Sequence, residues 1–224
     1  MGARGVVPGL DRLSPPVFVL TRLAESLPGK EANLCSEDWI SGKVEFLKNY
    51  SMPSLLAQSD PDFRWLVSVS EKVPKPLQTL IETAVEPFGQ LVFQRGVEHS
   101  TDVFGRELKK QAGHYVTVRF DSDDVLHADF VTVLKSNYHP HYPITSFVNG
   151  VVYDIDAGIA GHWPHVSNTF LSYVGSEGSN IYGLGEHTRV QAKYLDQLQI
   201  IHNPVPMWMK LVHKANGWGD TITD

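Results

Sequence analysis

Tyr115-Val116-Thr117-Val118-Arg119-Phe120-Asp121-Ser122-Asp123-Asp124 is the stretch that decides how this chain is read. Val116, Val118 and Phe120 fall on one side of an extended backbone, and Tyr115, Thr117 and Arg119 on the other, which is the period of a strand. The strand runs directly into three carboxylates within four residues. Like charges held so close repel, so packing alone does not favour them at the end of a buried strand. A divalent cation such as Mg²⁺ or Mn²⁺ resolves that repulsion, because hard ions take oxygen ligands from carboxylates and substrate phosphates. Bound there, the ion neutralises charge developing on a diphosphate leaving group. A plainer use stays open: a solvated turn, with Asp124 serving only as the cap of a helix expected over residues 128–137.

Upstream, strand and helix signals alternate. Val17-Phe18-Val19-Leu20, ending at Thr21-Arg22, reads as a buried strand; Ser36-Glu37-Asp38 caps a helix carrying Ile40, Val44 and Leu47. A second helix is expected over residues 51–58 with Pro53 in its first turn, then a strand over 63–69. A helix carrying Leu77, Leu80 and Ile81, a strand at Leu91-Val92-Phe93 and a helix over 102–112 follow. This alternation predicts an α/β fold: a Rossmann-type, mostly parallel central sheet flanked by helices on both faces. Ligands of such sheets sit at the carboxyl ends of the strands, where Thr21-Arg22 and the acidic cluster both fall. Beyond Asn137 the pattern changes, and Asn149-Gly150 between apolar runs predicts a small antiparallel hairpin in the second half. Residues 1–16 read as a flexible N-terminal arm and 17–224 as one domain.

Composition narrows the function classes. A net charge of −6 argues against a large basic nucleic-acid surface. The single cysteine, Cys35, excludes an internal disulfide and suits a reducing compartment. No apolar run approaches the length of a membrane span, and neither a signal peptide nor the myristoylation pattern is present, so a cytoplasmic protein is expected. Asn49-Tyr50-Ser51 matches a glycosylation acceptor, which a cytoplasmic chain would not use.

At this point the sequence resembles the putative rhamnosyltransferases, which look like GT-A glycosyltransferases. The resemblance is carried by Thr21-Arg22, by Pro53-Ser54-Leu55 through Gln58 with Phe63-Arg64-Trp65-Leu66-Val67, by residues 119–124, and by Met207-Trp208 with His213 and Asn216. It implies a GT-A-like fold and a metal-dependent glycosyltransferase that moves a hexosyl or deoxyhexosyl group from a nucleoside-diphosphate sugar to an acceptor hydroxyl. It further implies that Asp121, Asp123 and His213 surround a Mn²⁺ or Mg²⁺ ion. Thr21, Arg22, Ser68, Ser70, Arg119 and Ser122 then join the two aspartates around the donor. Asp124 supports the metal ligands or contacts the donor sugar. Residues 17–137 would bind the nucleotide-sugar and 138–224 the acceptor: a glycan, a protein, a lipid-linked sugar or a modified nucleic acid base.

Other residues are candidates beside these. Arg22 has the planar fork that suits a diphosphate, or it pairs with an acid on the surface. Arg119, two residues before Asp121, shares its face of the strand. Gly183-Leu184-Gly185-Glu186-His187-Thr188 lacks the third glycine of a dinucleotide fingerprint and reads better as an acceptor-side loop. Glu186 there is a candidate general base, with Asp154 and Asp156 as competitors. Tyr138, Tyr142, Trp163 and Tyr173 could offer a sugar-stacking surface or belong to the core. The histidines at 139, 141, 162, 165, 187 and 202 raise a histidine-metal hydrolase as a rival, but no His-Glu-x-x-His spacing supports it. Two further rivals are a nucleotidyltransferase on a similar sheet and a non-catalytic glycan-binding or assembly protein.

Overall fold

A computed structural model describes residues 15–26, 29, 31–139 and 141–213. Most of the expected N-terminal arm, together with Asn216 of the family resemblance, lies outside the described residues. The chain order is β1 (Val17–Ala24), α1 (Glu37–Phe46), α2 (Met52–Leu56), β2 (Phe63–Ser70), α3 (Lys75–Val85), β3 (Gly89–Gln94), α4 (Ser100–Leu108), β4 (Tyr115–Arg119), β5 (Val125–Leu126) and α5 (Phe130–Ser136). It continues with β6 (Ile144–Phe147), β7 (Gly150–Asp154), β8 (Ile159–His162), β9 (Ser172–Gly175), α6 (Val190–Tyr194), β10 (Leu198–Ile201) and β11 (Trp208–Val212). A π-helical turn, Leu47–Ser51, joins α1 to α2.

The large sheet has the order β10-β6-β9-β4-β1-β2-β3. Strands β4, β1, β2 and β3 are mutually parallel, and β9 inserts antiparallel between β4 and β6. Both faces of β1 are buried, which is why its sequence is almost continuously apolar. Val19, Val67, Val69 and Val118 pack with Ile40, Val44 and Ile81 of α1 and α3. The alternate residues Phe18, Leu20 and Leu66 pack with Val103, Phe104 and Leu108 of α4 on the other side. Ser36 caps α1, its side chain accepting the Trp39 N–H at 3.3 Å. The chain passes from β1 outward to β2 and β3, then returns to the opposite side of β1 as β4. The crevice between the carboxyl ends of β1 and β4 is thus the switch point where such sheets bind ligands.

A second sheet, β5-β11-β7-β8, stands against this end. The acidic cluster is the bridge, leaving β4 and entering β5. Two expectations are corrected here. Asp124 caps no helix: β5 follows it, and α5 begins only at Phe130 after Asp129. Asn149-Gly150 is not the turn of a hairpin, because β6 before it pairs in the large sheet and β7 after it in the small one. The antiparallel hairpin is the next one, β7 with β8. Gly150 is required for another reason, since a Cβ there would meet the Trp208 ring at 2.3 Å. Met207, Trp208 and Leu211 are core, on β11 and its approach. Among the described residues, no helix is long and apolar enough to cross a membrane.

Candidate active site

A cavity of about 1010 Å³ opens at the switch point. One wall is the carboxyl end of the parallel sheet, with Arg22 from β1, Arg119 from β4, and residues 99–101 at the start of α4. The acidic cluster forms the floor, Lys210 and Leu211 of β11 stand beside it, and Trp163, His165 and Thr169 close the far side. Tyr182 and residues 185–188 complete the rim.

The three carboxylates escape mutual repulsion in three ways. Asp121 Oδ2 accepts from Arg119 Nη2 at 3.2 Å. Burial opposes its ionisation, but Arg119 and Arg22 more than compensate and hold its pKa at about 2. Asp123 Oδ2 lies 3.2 Å from His213 Nε2, and the imidazole is stacked on Phe46 with ring centroids 3.8 Å apart. Asp124 is 3 % exposed and its Oδ1 accepts the Leu211 N–H at 3.2 Å. Burial, and then the charges of Asp123 and Asp121, push its pKa well above the usual carboxylate range, so it tends to keep its proton.

The cations are arranged around one ring. The Arg22 guanidinium lies 4.9 Å and that of Arg119 5.8 Å from the centroid of Tyr182, which also stacks on Phe104 at 5.4 Å. The Tyr182 hydroxyl donates to Leu20 O at 3.2 Å, and burial pushes its pKa up, so it stays neutral. Arg119 Nη1 is 3.1 Å from His187 Nδ1. Arginine is always a donor, so Nδ1 accepts and the proton of the neutral ring sits on Nε2. Burial and then Arg119 lower the His187 pKa to about 4. Both arginine Nε atoms are buried with no hydrogen-bond partner among the described residues.

The structure sorts the expected site residues. Arg22, Arg119, Asp121, Asp123, Asp124 and Glu186 line the cavity. Thr21, Ser68, Ser70 and Ser122 do not line it; all are buried. The Thr21 hydroxyl accepts from Trp65 Nε1 at 2.9 Å, and Ser68 Oγ donates to Glu25 at 2.5 Å. Glu186 carries an ion pair with Arg189 at 2.8 Å on an open surface. Asp154 lies outside the cavity, where its Oδ1 accepts the Ala157 N–H in the β7–β8 turn, and Asp156 is exposed in the same turn. Of the four aromatics, only Trp163 reaches the cavity. His213 stands beside Asp123, whereas Asp121 turns to Arg119. Among the described residues, no three histidine, cysteine or acidic groups are gathered as metal ligands. Sequence reading passed over Tyr182, Lys210 and Lys43, which carried no motif or period to mark them.

No curated protein matches the sequence. Among solved structures, S. aureus TarS residues 1–349 in complex with UDP-GlcNAc aligns with a TM-score of 0.52 at 11% identity, over 89% of this chain and 59% of that one. The mannosyltransferase PcManGT from Pyrobaculum calidifontis, in complex with GDP-Man and Mn²⁺, aligns at 0.48 and 14% identity, over 89% and 58%. The inositol-1-phosphate CTP transferase from T. maritima aligns at 0.47 and 16% identity, over 88% and 89%. The chain thus spans about 60% of the length of the first two. At 11% identity the likeness to TarS is one of fold, that of the GT-A glycosyltransferases. The family model described as putative rhamnosyl transferase matches residues 9–217. On that match over nearly the whole chain, the protein belongs to the putative rhamnosyl transferase family.

Proposed function

We propose that this protein is a metal-dependent glycosyltransferase, moving a hexosyl or deoxyhexosyl group from a nucleoside-diphosphate sugar to an acceptor hydroxyl. The observation that carries this reading is the pair of guanidiniums, Arg22 and Arg119, each with a buried Nε that has no partner among the described residues, meeting an acidic cluster at the β1/β4 switch point. Arg22 and Arg119 bind the diphosphate, whose oxygens suit planar bidentate donors. Asp121 holds Arg119 in place and lies within reach of the same phosphates.

The residues present fit a divalent ion as half of a site. Two ligand atoms at right angles around a metal with bonds of about 2.1 Å are separated by about 3.0 Å. Asp123 Oδ2 and His213 Nε2 are 3.2 Å apart. With Asp121 they would hold Mn²⁺ or Mg²⁺, and donor phosphates would complete the shell. When bound, the ion supplies positive charge to the departing diphosphate. The chain's own part is to orient the donor through Arg22 and Arg119 and to exclude water with Tyr182 and residues 185–188. Thr21, Ser68 and Ser70 support the donor wall from behind. Residues 17–137 make up the donor half of a single domain and 138–224 the acceptor half. The free, exposed Cys35 accords with a cytoplasmic location.

The test is product analysis with a panel of nucleotide-sugars and Mn²⁺. Release of nucleoside diphosphate with sugar transfer or donor hydrolysis is expected. Release of pyrophosphate from a nucleoside triphosphate and a sugar phosphate would instead identify a nucleotidyltransferase. Absence of donor binding by folded protein would leave the non-catalytic reading.

A further inference from the structure

The far wall of the cavity is built by Trp163-Pro164-His165, and its regularity is informative. The Trp163 N–H donates to Gly150 O and the His165 N–H to Val148 O, each at 2.8 Å. Side chains two residues apart on an extended segment share a face, so both rings point the same way. They stack with planes 9° apart and centroids at 5.3 Å. Trp208 meets Trp163 edge-on at 6.0 Å from behind, and Asn168 Nδ2 fixes the His165 carbonyl at 2.8 Å. This rigid pair lines the same cavity as the arginines, yet Trp163 remains 39 % exposed. Two polar side chains stand beside it. Thr169 Oγ1 is buried with no partner among the described residues, and Lys210 Nζ lies 5.6 Å from the Trp163 centroid. An exposed aromatic surface rimmed by polar groups matches a pyranose, which has an apolar C–H face and a hydroxyl edge.

The same cavity holds few groups able to take a proton. Arg119 claims Asp121, His213 claims Asp123, Asp124 tends to keep its own proton, Glu186 is paired with Arg189, and His99 stands on the wall of the two arginines at the start of α4. His187 accepts from Arg119. We propose that Trp163 and His165 form the acceptor subsite: a pyranose ring of the acceptor packs against the exposed part of Trp163 on the cavity side, alongside His165, whose imidazole takes the proton of the attacking hydroxyl. The hydroxyl oxygen bonds to the anomeric carbon of the donor, and the bond from that carbon to the diphosphate breaks. The electron pair leaves with the diphosphate, and the proton ends on the ring nitrogen of His165. Burial, with Lys210 adding to it, lowers the His165 pKa, so the ring is neutral and able to accept at pH 7.

This proposal rests on the glycosyltransferase reading, and its test separates the two. Saturation-transfer NMR with methyl pyranosides, including methyl α-L-rhamnopyranoside, is run on protein with nucleoside diphosphate and Mn²⁺. Ring-proton signals are expected from wild type and from His165→Gln, and their loss from Trp163→Ala. With the glycoside that binds as acceptor, His165→Ala should lower kcat about 100-fold or more at unchanged acceptor KM, with partial rescue by free imidazole. Donor affinity by calorimetry should be unchanged in every variant. Undiminished signals from Trp163→Ala, wild-type turnover by His165→Ala, or binding of adenosine in place of any pyranoside would overturn the proposal while the donor reading stood. Loss of donor binding in wild type itself would remove both.

Discussion

Replacing Gly150 by alanine should destabilise the protein through a single collision. Gly150 starts β7 directly beside Trp208 of β11, and a Cβ would lie 2.3 Å from two indole carbons and 2.4 Å from a third. Ordinary carbon contacts need about 3.5–4.0 Å, so the ring must recede by more than about 1 Å. It has little room, being 2 % exposed, stacked on Phe170 at 4.9 Å, and bound through Nε1 to Phe147 O at 2.8 Å. Overpacking of this kind costs about 1–3 kcal/mol. In a chain of this size that lowers Tm by about 3–10 °C. The assay is reversible thermal unfolding of wild type, Gly150→Ala, Trp208→Phe and the double variant. The smaller Phe ring should relieve the clash, giving a coupling above about 0.5 kcal/mol. If Gly150→Ala melts with wild type, or costs as much beside Phe as beside Trp, the packing argument is wrong.

Three other outcomes follow from the site. Arg22→Gln should weaken nucleoside-diphosphate affinity roughly 10- to 100-fold by calorimetry with Tm nearly unchanged, since a hydrogen bond to a charged group contributes about 1.5–3 kcal/mol. Thr21→Val should do the reverse: it strands the buried Trp65 N–H and destabilises by about 1–3 kcal/mol, while donor affinity stays at the wild-type level. For pH, the folded pKa of His187 is depressed from 6.5 to about 4, so the unfolded chain takes up its proton first and stability falls as pH drops through that interval. Asp124 works in the opposite sense because its folded pKa is raised. The check is therefore a difference: denaturant unfolding between pH 7 and 4 should show a smaller acid loss in His187→Gln than in wild type.

What could be read from the sequence, and what could not, follows from the kind of signal involved. Strand β4 and its acidic end were legible because alternation and charge density are local. The position of Thr21, Ser68 and Ser70 at the strand ends was legible too, but not that each is buried and turned away from the cavity. Adjacent residues face opposite ways, so Arg22 opens into the cavity while Thr21 lies beneath Trp65. Asn149-Gly150 misled because a glycine serving a turn and one serving close packing look alike until its neighbour, 58 residues later, is known. Tyr182 and Lys210 come from an irregular segment and a short strand, and only the tertiary fold brings them to the cavity.

The central claim is that Arg22, Arg119 and the acidic cluster hold a metal-assisted nucleoside-diphosphate sugar. Calorimetric titration of nucleotide-sugars into wild type and Asp123→Ala, with and without Mn²⁺, tests it most directly. The account predicts that one donor binds wild type tightly with Mn²⁺ and weakly without it, and that Asp123→Ala loses the Mn²⁺ enhancement but keeps its fold. Binding of equal strength with and without Mn²⁺, unchanged by Asp123→Ala, would contradict the metal-assisted site; no binding of any donor by folded protein would contradict the claim as a whole.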